Sequence, residues 1–239
     1  METAILVLFL LGSYLLGSIS FARLITRWWS GGEDVTDFEV PVEGTDESYK
    51  VIAVGANSVS SVLGPKAGML VSFLDIFKVF LPTLLARLFF PSQPAYMLTT
   101  AVGGLMGHIW PIYYRFHGGA GFSAIMGGLL VIDWLAVLIS PIAGWLLGLL
   151  VFRNLTVASL SWLWLLIPWF WWRSGGDWTY ILYAVILNIL FILAMIPEFK
   201  MAQKYAKEGN RLGYSMGYLK SNPMGRGMLK MAKFFRIKI

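Results

Sequence analysis

GGLMGHIWPIYYRFHGGAGFSA, residues 103–124, is the stretch on which the reading of this chain turns. An apolar segment bearing His108 runs through Trp110-Pro111 to Arg115, breaks at His117-Gly118-Gly119-Ala120-Gly121, and restarts as a second apolar run. Hydrocarbon cannot satisfy bare N–H and C=O groups, which cost several kcal/mol each there. A glycine-rich break between two membrane-type segments therefore has to face protein or water. Free amides at the start of the helix from Phe122 would form an anion site, helped by the helix dipole. A plain interhelical turn is the other reading, because glycines end helices in many settings.

Composition places these segments in a bilayer. The chain is 57% hydrophobic and 13% charged, with a mean hydropathy of +0.68, where a soluble domain is about half apolar and a quarter charged. Several apolar runs approach or exceed the roughly 20 residues of a spanning helix. The fold class expected is all-α, a polytopic membrane bundle of about seven transmembrane helices. The N-terminal run lacks a basic leader and a small-residue cleavage site, and reads as a retained helix. There is no cysteine, which excludes disulfides and thiolate chemistry. With two histidines only, neither a metal site nor a cofactor is expected. The net charge of +6 comes from the basic excess in residues 200–239 and points to anionic phospholipids, not to nucleic acid.

Helices are expected at about 3–25, 66–90, 95–114, 122–132, 134–151 and 178–196, with a sixth between the last two that starts within 153–160 and has a tryptophan-rich end at 162–172. Residues 122–152 are too long for one span, about 46 Å against a core of about 30 Å, and Asp133 and Pro141 interrupt them. Arg23 and Arg27 after the first helix, with Arg115 and Arg153 later, put the N-terminus outside and the C-terminus in the cytoplasm. Residues 1–199 read as one transmembrane domain. Within it, residues 30–50 carry Glu33, Asp34, Asp37, Glu39, Glu43, Asp46 and Glu47 and read as a solvated acidic loop. Residues 200–239 read as a basic tail. Its end sets Lys230, Lys233 and Arg236 against Met228, Met231, Phe235 and Ile239, a pattern that suits a helix in an anionic headgroup layer. Asp75 and Lys78, spaced i,i+3, read either as a structural ion pair or as a pair lining a polar cavity.

Five stretches resemble the bacterial acyl-phosphate:glycerol-3-phosphate acyltransferases, the PlsY family. Gly107-His108-Ile109-Trp110-Pro111 with the run to Gly121 is similar to the family's second motif, GH, aromatic or aliphatic, FP and then KGGKG. Val51–Gly64 followed by Lys66-Ala67-Gly68 is similar to its first motif, and Asp75 to Lys78 match its DxxK step. Tyr14-Leu15-Leu16-Gly17-Ser18-Ile19 before Phe21 resembles its opening helix, and Arg153 to Leu160 its arginine-aromatic-x-serine-leucine step. The sequence departs from the family where Val51, Ser61 and Ala120 stand in place of the motif serine, arginine and loop lysine, and where His117 replaces another lysine. A serine hydroxyl cannot reproduce a bidentate arginine on phosphate. The third motif is not recovered at Pro197-Glu198, and Asn210-Arg211-Leu212-Gly213 match it in type only.

The resemblance implies a multi-pass protein of the bacterial cytoplasmic membrane. Its reaction would pass an acyl group from acyl phosphate to sn-glycerol 3-phosphate, giving lysophosphatidic acid for phospholipid biosynthesis. Ser58, Ser61, His108 and Ser159 are then the candidate catalytic residues. Asn57, Lys66, Arg115, His117, Gly118, Gly119, Gly121 and Ser123 are candidates for binding phosphate. Two other readings stay open: a catalytically degenerate paralogue that binds lipid or partners an intact copy, and an unrelated seven-helix transporter.

Overall fold

In the computed structural model, which describes residues 2–208, 211–235 and Ile237, the first apolar run is one span of 28 residues, Thr3–Ser30. A break over residues 18–20 divides it into α1 (Glu2–Gly17) and α2 (Phe21–Ser30), with Ser20 accepting from the Arg23 amide as the α2 N-cap. After a short acidic segment come α3 (Ala56–Leu63), α4 (Pro65–Phe89) and α5 (Pro94–Ile109). The next helices are α6 (Phe122–Ile132), α7 (Trp134–Leu146, prolonged by a π turn to Val151), α8 (Leu155–Arg173) and α9 (Trp178–Lys207). Two further helices, α10 (Arg211–Ser221) and α11 (Pro223–Phe234), end the chain.

Among the described residues, 5 helices are long and apolar enough to cross a membrane, the first span, α4, α7 with its extension, α8 and α9. The other two expected spans are shorter, α5 with 16 residues and α6 with 11. At 1.5 Å per residue α6 is about 16 Å long, half a bilayer core. Its end is set by Asp133, whose carboxylate caps α7 through the Leu135 amide at 3.1 Å. The split between residues 132 and 134 therefore falls at the position the spacing predicts.

Glycine decides the closest packing. A Cβ on Gly17 would lie 2.2 Å from the Gly104 carbonyl oxygen, and one on Gly107 would lie 2.1 Å from that of Tyr14. Small residues let α1 and α5 touch through their backbones, the usual means of tight helix association in lipid. Leu105, Ile125, Leu129, Leu163, Leu166, Phe170 and Leu187 fill the core between α5, α6, α8 and α9. Outward-facing Leu8, Phe73, Phe77, Ile142, Leu182 and Ile189 are exposed, as suits a lipid-facing surface.

Three boundaries differ from expectation. The third helix stops at Ile109, not at 114, because a residue before proline disfavours the helical region and Pro111 follows Trp110. The last long helix runs past Pro197 to Lys207, where Tyr205 is buried with Val35, Val40 and Tyr49. The acidic segment is correspondingly no bare loop. It forms a hairpin, β1 (Glu39–Pro41) antiparallel to β2 (Ser48–Lys50), with Val40 opposite Tyr49. Asp34 anchors it to α2 through Arg23 at 2.6 Å and Arg27 at 3.0 Å. Burial alone would raise the Asp34 carboxyl, but hydrogen bonds from Arg23 and Thr36 hold it below its ordinary 3.8.

The tail also folds back. On α11, Ala232 is buried with Leu149 and Ala158, with Phe235 packed beside them, while Lys230 and Lys233 are exposed. Arg236 and Ile239 of the basic pattern, and Asn210 of the third-motif match, lie outside the described residues.

Candidate active site

Two helix starts converge on one hollow. The residues before α3 approach it through Ala53 and Gly55, and α3 enters with Ala56, Asn57 and Ser58. From the other side Ala120, Gly121, Phe122 and Ser123 bring in the first turn of α6. The cavity has a volume of about 320 Å³, and α4 adds Ser72 and Asp75, α5 His108, and α9 Met195 and Glu198. Gly55 and Gly121 are the N-caps of α3 and α6, and neither offers a side-chain acceptor. The amides of Phe122, Ser123 and Ala124 consequently find no acceptor among the described residues. Open amides and the positive ends of two helix dipoles thus face the hollow, along with the carboxylates of Asp75 and Glu198.

The glycine break supports these amides instead of supplying all of them. The Gly119 amide donates to the His108 carbonyl at 3.1 Å, and the Gly118 carbonyl accepts from the Val54 amide at 2.9 Å. A Cβ on Gly119 would meet His108 Nε2 at 2.4 Å and the Val54 carbonyl oxygen at 2.7 Å. Gly121 has φ 95, left-handed backbone that glycine adopts freely. The break thus clamps His108 between α3 and α6, and the free donors belong to the first turn of α6.

His108 is buried, with Nδ1 3.6 Å from Asp75 Oδ1. The same oxygen lies 2.8 Å from Lys78 Nζ, which also donates to the Ile19 carbonyl at 2.7 Å. Asp75 lines the cavity while Lys78 does not, so the pair is at once an ion pair and an edge of the polar hollow. Ser72 and Ser123 face each other across it, Oγ to Oγ 3.1 Å. Ser58 Oγ donates to the Ala53 carbonyl, and Asn57 Nδ2 reaches Met224 Sδ at 3.7 Å. Met224, near the start of α11, closes one side of the cavity.

Of the candidates, Asn57, Ser58, His108, Gly121 and Ser123 line the hollow, Gly118 and Gly119 shape it, and Asp75 and Lys78 brace it. The others lie elsewhere. Ser159 is half-buried on α8, outside the cavity lining, and donates to the Thr156 carbonyl of its own helix at 3.0 Å. Ser61 points into a small neighbouring cleft, where Oγ meets Asn57 O at 3.0 Å and Ser221 Oγ at 3.1 Å. Lys66 and Arg115 are exposed. Arg115 has φ 52 and Phe116 φ 62, a tight turn that carries the side chains away from the cavity. His117 turns outward as well, its Nδ1 2.7 Å from the Arg115 carbonyl oxygen.

Sequence reasoning missed Ser72, Glu198 and Met224. Ser72 was detectable, since it precedes Asp75 by three residues on one face of α4. Met224 carries no local signal, because a long-range fold-back places it. Among the described residues, no lysine or arginine lines the cavity.

Residues 7–204 match the family model for glycerol-3-phosphate acyltransferase. The chain belongs to that family. The glycerol-3-phosphate acyltransferase of Aquifex aeolicus is 31% identical over 162 residues, 67% of this chain and 75% of that protein. That of Myxococcus xanthus is 36% identical over 125 residues, 52% of this chain and 58% of that protein. The crystal structure of PlsY, an integral membrane glycerol 3-phosphate acyltransferase, in its glycerol 3-phosphate form is 26% identical with a TM-score of 0.65. The alignment covers 86% of this chain and 93% of that one, and the lysophosphatidic acid form matches with the same TM-score. The chain is accordingly a multi-pass integral membrane member of the acyltransferase family of phospholipid synthesis. The match ends at residue 204, so α10 and α11, which bring Met224 to the cavity, lie outside the shared region.

Proposed function

We propose that this protein transfers an acyl group from an acyl phosphate to a hydroxyl of sn-glycerol 3-phosphate, yielding lysophosphatidate and inorganic phosphate. The observation that carries this reading is the convergence of the α3 and α6 N-termini on a cavity edged by His108 and the Ser72–Ser123 hydroxyls. Both substrates are anionic, and an array of oriented amides binds phosphate without a resident cation.

The chemistry asks little covalent work of the protein. The glycerol oxygen bonds to the acyl carbon, the bond from that carbon to the phosphate oxygen breaks, and phosphate leaves with the electron pair. The departing phosphate is itself a base for the hydroxyl proton. What the site contributes is orientation of the two reactants and stabilisation of phosphate charge by α3 and α6 amides. Ser58, Ser72 and Ser123 supply hydroxyls to position the acceptor. His108, set between Asp75 and Gly119, is the side chain placed to steady charge at the reacting carbonyl.

The same reading puts the protein in the bacterial cytoplasmic membrane, with the candidate site on the cytoplasmic side, the N-terminus outside and the basic tail against anionic lipid. Lys/Arg asymmetry supports that orientation. A second reading, a paralogue that binds substrate without turning it over, is favoured by the lack of cations along the cavity lining among the described residues.

One experiment separates them. The chain is expressed in a strain deprived of its own acyl-phosphate-dependent acyltransferase, and the purified protein is assayed with palmitoyl phosphate and glycerol 3-phosphate. Growth rescue and lysophosphatidate formation are expected. Good expression with glycerol 3-phosphate binding but no product would instead establish the non-catalytic paralogue.

A further inference from the structure

A second cavity, of about 370 Å³, opens at the other end of the bundle. Ser123 at the start of α6 lines the first cavity and Val131 near its end lines the second, so the two lie about 12 Å apart along that helix. Arg87 in the last turn of α4, Arg173 in the last turn of α8, Asp133 and Tyr180 face it.

The donor and acceptor count in this cavity is unequal. Asp133 is fully engaged: Oδ1 accepts from the Leu135 amide, while Oδ2 accepts from Trp169 Nε1 at 3.1 Å and Arg173 Nε at 3.0 Å. Arg87 gives one N–H to the Val131 carbonyl at the end of α6. A guanidinium carries five N–H donors, so most of those on Arg87 and Arg173 have no acceptor among the described residues. The Tyr180 hydroxyl likewise makes no hydrogen bond there. Two cations and one carboxylate line the cavity, and that carboxylate is already surrounded by donors; a second carboxylate, Asp177, stands near Tyr180 but is engaged by the Thr179 amide and hydroxyl.

The complement to such a set is an anion with several acceptor oxygens on one centre. We propose that this cavity binds a phosphate group, held by Arg87 and Arg173 with the Tyr180 hydroxyl as a third donor, at a site separate from the acyl-transfer cavity. Two sources offer that chemistry, a phospholipid headgroup and free phosphate. Exposed Trp134, Trp172 and Trp178 mark the interfacial level around the opening, where a headgroup would lie.

The test uses the full chain in detergent, with native mass spectrometry for bound lipid and thermal unfolding for bound anion. The probes are dioleoylphosphatidylglycerol, dioleoylglycerol with the same chains but no phosphate, and inorganic phosphate. Wild type is compared with Arg87→Gln, Tyr180→Phe and Arg173→Gln, and with Arg153→Gln as a control distant from the cavity. Losing a charge-assisted donor is expected to weaken binding about tenfold. Phosphatidylglycerol retention that falls in Arg87→Gln and Tyr180→Phe, but not in the control, with dioleoylglycerol indifferent to all, establishes a headgroup site. A phosphate-induced rise in Tm lost in the same variants, without lipid retention, establishes a free-anion site. Arg173→Gln also strips Asp133 of a partner, so Arg87→Gln and Tyr180→Phe decide the outcome. Equal binding by wild type, Arg87→Gln and Tyr180→Phe, or none of either probe, overturns the proposal. Neither result depends on acyl transfer, which is assayed separately.

Discussion

Lys78 Nζ sits 2.8 Å from Asp75 Oδ1 and 2.7 Å from the Ile19 carbonyl oxygen, so a single ammonium ties α4 to the break between α1 and α2. Both side chains are buried, with exposures of 5% and 2%. Charges that deep are tolerated as a pair far better than singly. Removing one partner of a buried pair typically costs about 3–5 kcal/mol, whereas replacing both with apolar groups is often near neutral. Lys78→Met is therefore expected to lower stability by about 3 kcal/mol. Asp75→Leu combined with Lys78→Met should recover most of that while still abolishing acyl transfer, because Asp75 edges the cavity. Thermal unfolding in detergent and a product assay read the two effects separately.

Gly119 has no room for a side chain. Its Cβ would press on His108 Nε2 and the Val54 carbonyl. Gly119→Val is expected to displace His108 and reduce both glycerol 3-phosphate binding and turnover by at least about tenfold, since a misplacement of about 1 Å near the chemistry costs up to about a hundredfold. Calorimetric titration with glycerol 3-phosphate checks the binding part. Unchanged affinity would show that the break does not shape the phosphate site.

Two serines singled out from sequence part company in the fold. Ser58 lines the cavity at the start of α3, and Ser159 bonds back to Thr156 away from the cavity. Ser58→Ala should lower kcat/KM by about tenfold or more, in line with the loss of one hydrogen bond to a charged group. Ser159→Ala should stay within about twofold of wild type, because its hydroxyl bonds within its own helix and does not line the cavity. Side-by-side kinetics on equal amounts of folded protein provide the check.

Acid sensitivity follows from the Arg23–Asp34 pair. The folded carboxyl titrates below its unfolded 3.8. Its contribution to stability is thus complete above 3.8 and fades as pH falls through the lower folded value. Asp34→Asn is expected to cost about 3 kcal/mol at neutral pH, because Arg23 is buried and its Nε has no hydrogen-bond partner. The gap between wild type and Asp34→Asn should narrow as pH is lowered past 3.8. A constant gap in Tm across that range would rule out the pair as its source.

Local rules carried the fold a long way. Length against bilayer thickness separated α6 from α7 at Asp133. The same rules failed for the acidic segment, because the hairpin exists only where Tyr205, more than a hundred residues later, buries Val40 and Tyr49. For Ser159 they leave two readings, a pocket hydroxyl or a serine bonded back to its own helix. Ala158 is the residue packed against Gly148, and Ser159 bonds back to Thr156.

Hydropathy and residue spacing alone determined that this chain is a helical membrane protein with a glycine break leading into an uncapped helix, since burial in hydrocarbon constrains every backbone group within its own segment. Which hydroxyls, carboxylates and amides share one hollow was decided only by tertiary packing. Helices set side chains at fixed angles about their own axes, but the rotation of one helix against the next depends on the neighbours that press on it, and those come from distant parts of the chain.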